Sequence, residues 1–265
     1  MTLQNKIFFS ASKTYFFSSL FFPRSLRKDV STLYAFVRVV DDFVDQVPAD
    51  KKGYTAFKKK YYSSLKKDSG ENVIDDFVSL QKKYSFSQEW IDAFFFSMEL
   101  DMRKQVYSSV SELEEYIYGS AEAIGLCMAR MMGCSDLFHA RMMGKQMQLA
   151  NMIRDVAEDV SFGRTYLLFT QELADLSEQT THAHPDAFVR CMRKNISLYE
   201  SWRDISRKGL SSLPYRYRVP IRTADMLYSW AVGVIKRDPF IVYRRKVKPS
   251  ILRILLYACV SFLRR

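Results

Sequence analysis

Residues that interrupt helices are scarce in this chain: 265 residues contain only 9 Gly and 7 Pro. In a helix interior these two residues cost about 1 and 3 kcal/mol relative to alanine. Where they are rare and apolar residues recur every three or four positions, long helices follow. The cleanest pattern runs from Ser31 to Gln46, with Leu33, Phe36, Val37, Val40 and Val44 on one face and Pro48 beyond its end. Spacing predicts further helices from Gln88 to about Val106, from a capping box at Ser111 and Glu114 through Met132, and from Ser135 to Val160 with a break at Gly163. Two more are expected over Ala187–Gly209 and Pro220–Arg237, with loops at Lys66–Asn72 and Thr180–Asp186. Strands do not alternate with helices, and neither an internal repeat nor a low-complexity linker is present. The expectation is one all-α domain spanning residues 1–265.

Composition narrows the partners. Hydrophobic residues make up 48%, enough for one compact core. The 20 Phe, 16 Tyr and 12 Met would fill that core, and the same side chains suit the wall of a large apolar pocket. The formal net charge of +11 favours a polyanion, whether nucleic acid, anionic lipid or diphosphate. No compact basic motif of a nucleic-acid reader is present, so nucleic acid is not an expected partner. Cys127, Cys134, Cys191 and Cys259 form no C-x-x-C pair, which argues against zinc and for reduced thiols in a cytoplasmic setting. The early apolar stretch is broken by Lys13 and Arg24, unlike a secretory signal. The apolar segment Ile251–Leu263 is too short to span a bilayer. A buried helix is expected there, with an amphipathic helix in peripheral contact with a membrane as the alternative.

Two constellations carry chemistry. The first is Tyr34-x-x-x-Arg38-x-x-Asp41-Asp42-x-x-Asp45. Residues four apart share a helix face, so Asp41 and Asp45 sit side by side with Tyr34 and Arg38 on the same stripe. Two adjacent carboxylates repel unless a cation lies between them, and Mg2+ accepts one or two carboxylates plus water and phosphate oxygens. Asp75-Asp76-Phe77-Val78 repeats the local letters, but Ser79 stands where another carboxylate is needed, and this copy reads as an ordinary surface helix. The second constellation is Gln148-x-x-Asn151-x-x-Arg154-Asp155-x-x-Glu158-Asp159, in which Asn151, Asp155 and Asp159 share a face. Either group alone could be a solvated, ion-paired helix surface. Both are set in apolar helices, however, where unpaired charge is costly. Opposed across a bundle, they could hold Mg2+ and a diphosphate, with Arg38 and Arg154 gripping phosphate oxygens.

These segments resemble the squalene/phytoene synthase family. Ser12-Lys13-Thr14-Tyr15 through Leu20 and Pro23 is similar to the family's opening S-x-x-F…L-x-P. Tyr34 through Asp45 resembles its first aspartate-rich motif, and Gln148 through Asp159 its second. The stretch from Tyr116 to Gly125 resembles Y-x-x-V-A-G-x-V-G, and Gly163-Arg164-Thr165-Tyr166-Leu167 resembles G-R-x-Y-L-P. The sequence departs at Glu122, Gln146 and Leu168, where the family has Gly, a small Ala and Pro, and these changes are expected to reshape the pocket wall.

The resemblance implies an isoprenoid-synthase helical bundle around a central cavity. It implies Mg2+ held by Asp41, Asp45, Asn151, Asp155 and Asp159, with Mn2+ able to substitute. Ser12, Tyr34, Arg38, Gln148, Arg154, Tyr228 and Arg245 would contact diphosphate or isoprenoid, and Tyr118 would lie near the reacting carbons. The implied reaction joins two isoprenoid diphosphates head to head through a cyclopropyl diphosphate. Two geranylgeranyl diphosphates would give phytoene. Two farnesyl diphosphates would give squalene, dehydrosqualene or hydroxysqualene, with NADPH needed only for squalene. The chain shows no G-x-G-x-x-G fingerprint. Two rival readings are a non-catalytic basic helical module on membranes, and an inactive family member serving assembly.

Overall fold

The structure, a computed structural model, describes Gln4, Ile7 and residues 19–263. Among the described residues there is no β-strand, only an isolated parallel bridge between Val106 and Thr165. The all-α expectation holds.

Helix α1 spans Arg24–Val44. It begins seven residues before the expected Ser31, directly after Pro23, whose fixed φ suits a helix start. Leu26, Val30, Leu33, Phe36, Val40 and Val44 form its buried face. Helices α2 (Lys51–Ser64), α3 (Asn72–Tyr84) and α4 (Gln88–Asp101) pack around that face. Phe36 is the hub: its ring stacks on Phe77 with centroids 3.7 Å apart, and Phe57, Tyr61, Phe94 and Phe95 surround it. Phe77 thus belongs to the core, while Asp75 accepts a hydrogen bond from the Ser69 amide and Asp76 is exposed, as expected of a surface acidic pair.

Helix α5 covers Val110–Ile117. Its cap lies two residues before the expected one: the Ser109 hydroxyl accepts from the Glu112 amide, and Glu112 accepts from the Ser108 amide. The helix does not run unbroken to Met132. A π turn, Tyr118–Glu122, separates it from α6 (Ala123–Met132). Here Gly119 lies so close to α4 that a Cβ would stand 1.9 Å from the Ala93 carbonyl oxygen.

Helix α7 (Leu137–Arg154) is capped by Asp136 and crosses the π turn at Gly144, where a Cβ would meet the Ala121 carbonyl oxygen at 2.4 Å. The expected continuation to Val160 is interrupted at Asp155, whose ψ of 18° leaves the helical range, and α8 (Val156–Ser161) follows. The expected loop at 180–186 contains a short helix, α9 (Glu178–Ala183), capped by Ser177. Pro185 then opens α10 (Pro185–Lys208), and a 3-10 turn, Gly209–Ser212, follows. Helix α11 (Tyr215–Arg237) carries Pro220 inside its first turns rather than at its start. Helices α12 (Ile241–Arg244) and α13 (Ile251–Leu263) complete the described chain. The stretch from Gln88 stops at Asp101 because residues 102–109 turn to meet Thr165.

The core has two halves, one around Phe36 and one around Phe188, Tyr199 and Ile235, with Met147 packed against both. The main cavity lies at their seam.

Candidate active site

Helices α1 and α7 each run from an apolar stretch to an acidic end. On α1, Val30, Leu33 and Val37 line the cavity before Asp41, Asp42 and Asp45; on α7, Ala140, Met143 and Met147 do so before Asn151 and Asp155. The twelve-residue steps from Leu33 to Asp45 and from Met143 to Asp155 each cover about 18 Å. The cavity, about 830 Å3, is therefore polar at one end and apolar along its depth. That size suits a bulky ligand.

Both motifs place carboxylates at helix C-termini. Asp45 caps α1 and Asp155 caps α7. The helix dipole disfavours negative charge there, so each wall requires cations. On the first wall, Arg38 lies 2.5 Å from Asp42 and 4.0 Å from Asp45. Arg164 reaches from beyond α8 to donate to Asp45 at 2.7 Å and lies 3.8 Å from Asp101. On the second wall, Arg154 makes a two-pronged contact with Asp155 at 2.9 and 2.5 Å. Lys246 lies 3.3 Å from Asp155 and also pairs with Glu158.

In each wall one carboxyl lacks such compensation. Burial, and then the charge of Asp45, pushes the Asp41 carboxyl up to about 8. Burial and the Asp155 charge hold Asp159 well above the usual carboxylate range. Burial by itself would lower the Arg38 guanidinium, but the charges of Asp42, Asp41 and Asp45 prevail and raise it.

Among the described residues, no three acidic, histidine or cysteine side chains converge to enclose a metal by themselves. A cation here would draw Asp41 and Asp45 from one side, and Asn151, Asp155 and Asp159 from the other. Its shell would be completed by water and an anionic ligand. Oxygen donors of this kind, two of them carboxyls pushed up by burial and by neighbouring carboxylates, fit Mg2+.

A further acidic residue joins the site without a motif of its own. Asp101 ends α4, accepts from Tyr166 Oη at 2.5 Å and from Tyr116 Oη at 3.0 Å, and lines the cavity with both. Burial raises its carboxyl to about 6, against the lowering pull of Tyr166 and Arg164. Arg164 is held in turn: its amide bonds the Asp159 carbonyl, and the Thr165 amide bonds the Gln105 carbonyl. The segment Gly163–Leu167 thus ties both walls to α4.

Tyr34, Arg38, Asp41, Asp45, Gln148, Asn151, Arg154, Asp155 and Asp159 all line this one cavity. Ser12 lies outside the described residues. Three expected residues stand elsewhere. The Tyr118 ring lies under the Arg141 guanidinium with its hydroxyl 3.4 Å from Glu89, because the π turn directs it away from the cavity and brings Ser120 and Ala121 to the wall instead. Tyr228 is buried in the second half of the core, outside the lining. Arg245 is exposed, because the chain after α12 is extended and side chains alternate; Lys246 and Lys248 face the cavity instead. The alternation Lys246-Val247-Lys248 was the legible signal for them.

The three departures do not reshape the cavity wall. Glu122 is buried behind it, paired with Arg141 at 2.8 Å and Lys145 at 3.3 Å. Gln146 faces Met143 and Asp225, and the Leu168 amide donates to Asn195.

A profile of the squalene/phytoene synthase family matches residues 10–253. The chain belongs to the squalene/phytoene synthase family. Members of this family are prenyltransferases that use isoprenyl diphosphate substrates. The chain is 24% identical over 277 residues to 15-cis-phytoene synthase of Synechocystis sp., covering 96% of this chain and 81% of that protein. It is 27% identical to 15-cis-phytoene synthase of Paracoccus sp., covering 86% and 79%. Its fold matches a crystal structure of a dehydrosqualene synthase at a TM-score of 0.84, with 17% identity and coverage of 97% and 93%. It also matches a squalene synthase from Alicyclobacillus acidocaldarius at 0.77, with 20% identity and 94% coverage of each chain.

Proposed function

We propose that this protein condenses two isoprenoid diphosphates head to head in the presence of Mg2+, through a cyclopropyl diphosphate, and that its product is phytoene from two geranylgeranyl diphosphates. One observation carries the reading: two acidic helix ends, each only partly offset by cations of the chain, meet at the mouth of a single apolar cavity. The phytoene synthases it resembles over most of their length support the choice of product.

When bound, Mg2+ supplies charge neutralisation to a departing diphosphate. The chain's own residues do the rest. Arg38 and Arg154 offer planar pairs of N–H donors suited to phosphate oxygens. Lys246 and Lys248 add positive charge at the mouth. The allylic cation left by ionisation would lie among Tyr34, Tyr116 and Tyr166, whose ring faces attract positive charge. Below them Met98, Met128, Met132, Met143 and Met147 give a water-poor bed for the hydrocarbon chains.

The test is an incubation of purified protein with geranylgeranyl or farnesyl diphosphate, with Mg2+ or EDTA and with or without NADPH, followed by extraction and identification of the hydrocarbon. Phytoene from geranylgeranyl diphosphate with Mg2+ and without NADPH is expected. A product formed only from farnesyl diphosphate would overturn the substrate assignment. Turnover undiminished by EDTA would overturn the role of the metal, and absence of any hydrocarbon would overturn the catalytic reading.

A further inference from the structure

Helix α7 runs the length of the cavity. Its lining residues step along one stripe from Asp155 through Asn151, Met147 and Met143 to His139 and Asp136. The stripe begins at the acidic mouth and ends on a histidine–aspartate pair that the two walls do not use. The π turn and α6 run antiparallel beside it: a Cβ on Gly144 would meet the Ala121 carbonyl oxygen, and one on Gly125 that of Ala140. Ala129, Met132 and Cys134 therefore line the same far end as His139.

That end is closed by one ring. Asp136 caps α7 by accepting from the His139 amide at 3.2 Å, and its other carboxylate oxygen lies 2.7 Å from His139 Nδ1. A capping aspartate is favoured at a helix start, and here it also fixes the imidazole. The 3-10 turn leaves the ring no slack, since a Cβ on Gly209 would stand 2.2 Å from His139 Cβ. Ser135, Phe138, Ser211 and Ser212 around the pair are exposed, so the molecular surface lies directly beyond it. The imidazole thus stands between the cavity and solvent.

Its distance from the walls has a chemical meaning. At 1.5 Å per residue, His139 lies about 18 Å from Asn151 and about 24 Å from Asp155. With carbon–carbon bonds of about 1.5 Å, an extended isoprene unit adds about 5 Å, close to one helix turn. A C20 chain begun at the level of Asn151 ends at the His139 ring. A C15 chain ends about one turn short of it, near Met143.

We propose that the His139 ring, positioned by Asp136, is the floor on which the far end of the isoprenoid chain rests, and that it sets the accepted length at C20. This assignment rests on the diphosphate-binding role proposed above for the two walls. The experiment is calorimetric titration of the whole protein, in Mg2+, with the S-thiolodiphosphates of farnesol, geranylgeraniol and geranylfarnesol, whose carbon–sulfur bond resists ionisation. The wild type should bind the C20 compound roughly tenfold or more tightly than the C15 or C25 compound. His139→Trp should reverse the order of C15 and C20, and His139→Ala should bring C25 within severalfold of C20. Asp136→Asn, which still caps α7, should relax the exclusion of C25 to a smaller degree. A role in stability alone would not shift the preference in opposite directions for a larger and a smaller side chain. The same order of preference in the wild type and both His139 variants would overturn the floor and leave the role of the walls standing. Binding of none of the three compounds would overturn both. Length-selective binding without turnover of the natural diphosphates would uphold the floor and overturn only the condensation.

Discussion

The two acidic walls of the cavity are built alike and braced differently. Each ends a helix, and each pairs one ion-bridged carboxylate, Asp45 or Asp155, with one carboxyl that burial pushes above the usual range, Asp41 or Asp159. The difference is in the cation sent across from elsewhere. The first wall receives Arg164, whose side chain is 7% exposed and lies between Asp45, Asp101 and the Tyr166 ring. The second receives Lys246, 35% exposed, on an extended segment. One wall is held by a cation set in the core, the other by a cation at the surface. This asymmetry implies that the ion pair of the first wall contributes more to stability than that of the second.

The largest expected effect tests what the walls share. Asp41→Asn and Asp155→Asn should each lower turnover by roughly 10^3-fold or more, measured with saturating diphosphate and Mg2+. The fold should survive Asp41→Asn, because the native carboxyl is already held neutral. Near-normal activity in either variant would remove the paired-wall argument.

The next prediction separates the walls. Arg164→Met leaves the Asp101 carboxylate facing a core without its guanidinium. Breaking a buried pair of this kind costs about 3 kcal/mol, which urea denaturation would register. A loss no larger than that of an exposed pair would show that the first wall gains no more from its ion pair than the second.

The pH dependence comes third. The folded-state value of Asp41 lies near 8 and that of Asp101 near 6, both above the ordinary 3.8. Such groups stabilise the fold fully below about pH 4, and the stabilisation is lost as pH rises through the folded values. The metal-free protein should therefore melt at lower temperature as pH climbs towards about 8. Stabilisation by Mg2+ should grow over the same range, since binding must release the proton. Thermal melts with and without Mg2+ would show a constant difference if these carboxyls were ionised throughout.

The smallest effect belongs to Lys246→Ala. Its ion pairs are partly exposed and contribute about 0–1 kcal/mol, so stability should hardly change. KM for the diphosphate should rise severalfold at nearly constant kcat. A stability loss equal to that of Arg164→Met would erase the distinction between the walls.

Much of this was legible in the sequence because helical spacing is a local property. The stripe Tyr34, Arg38, Asp41, Asp45 follows from steps of three and four residues alone, and the structure brings it to one cavity with Gln148, Asn151 and Asp155. What local spacing could not reveal was set by tertiary contacts. Asp101 stands alone in the sequence and becomes part of the site through Tyr116 and Tyr166, which approach from different segments. Tyr118 sits in a segment resembling a family motif, but its direction depends on the π turn, where a helical wheel loses phase. Arg245 and Lys246 are adjacent and basic, and only an extended backbone decides which one faces inward. Glu122, Gln146 and Leu168 differ from the family pattern, yet their consequences fall behind the cavity because each finds a partner there.

The π turn at Tyr118–Glu122 also sets the alignment of everything downstream in α6. It lodges one surplus residue in an otherwise regular spiral. Excising a single amino acid there would tighten the coil and spin the following segment by about 100°. Ile124, Met128 and Met132 would swing off the cavity together, although none of them had been altered. Insertions and deletions at this point would thus act on the hydrocarbon bed as a rotary setting, in a way that no single side-chain replacement could imitate.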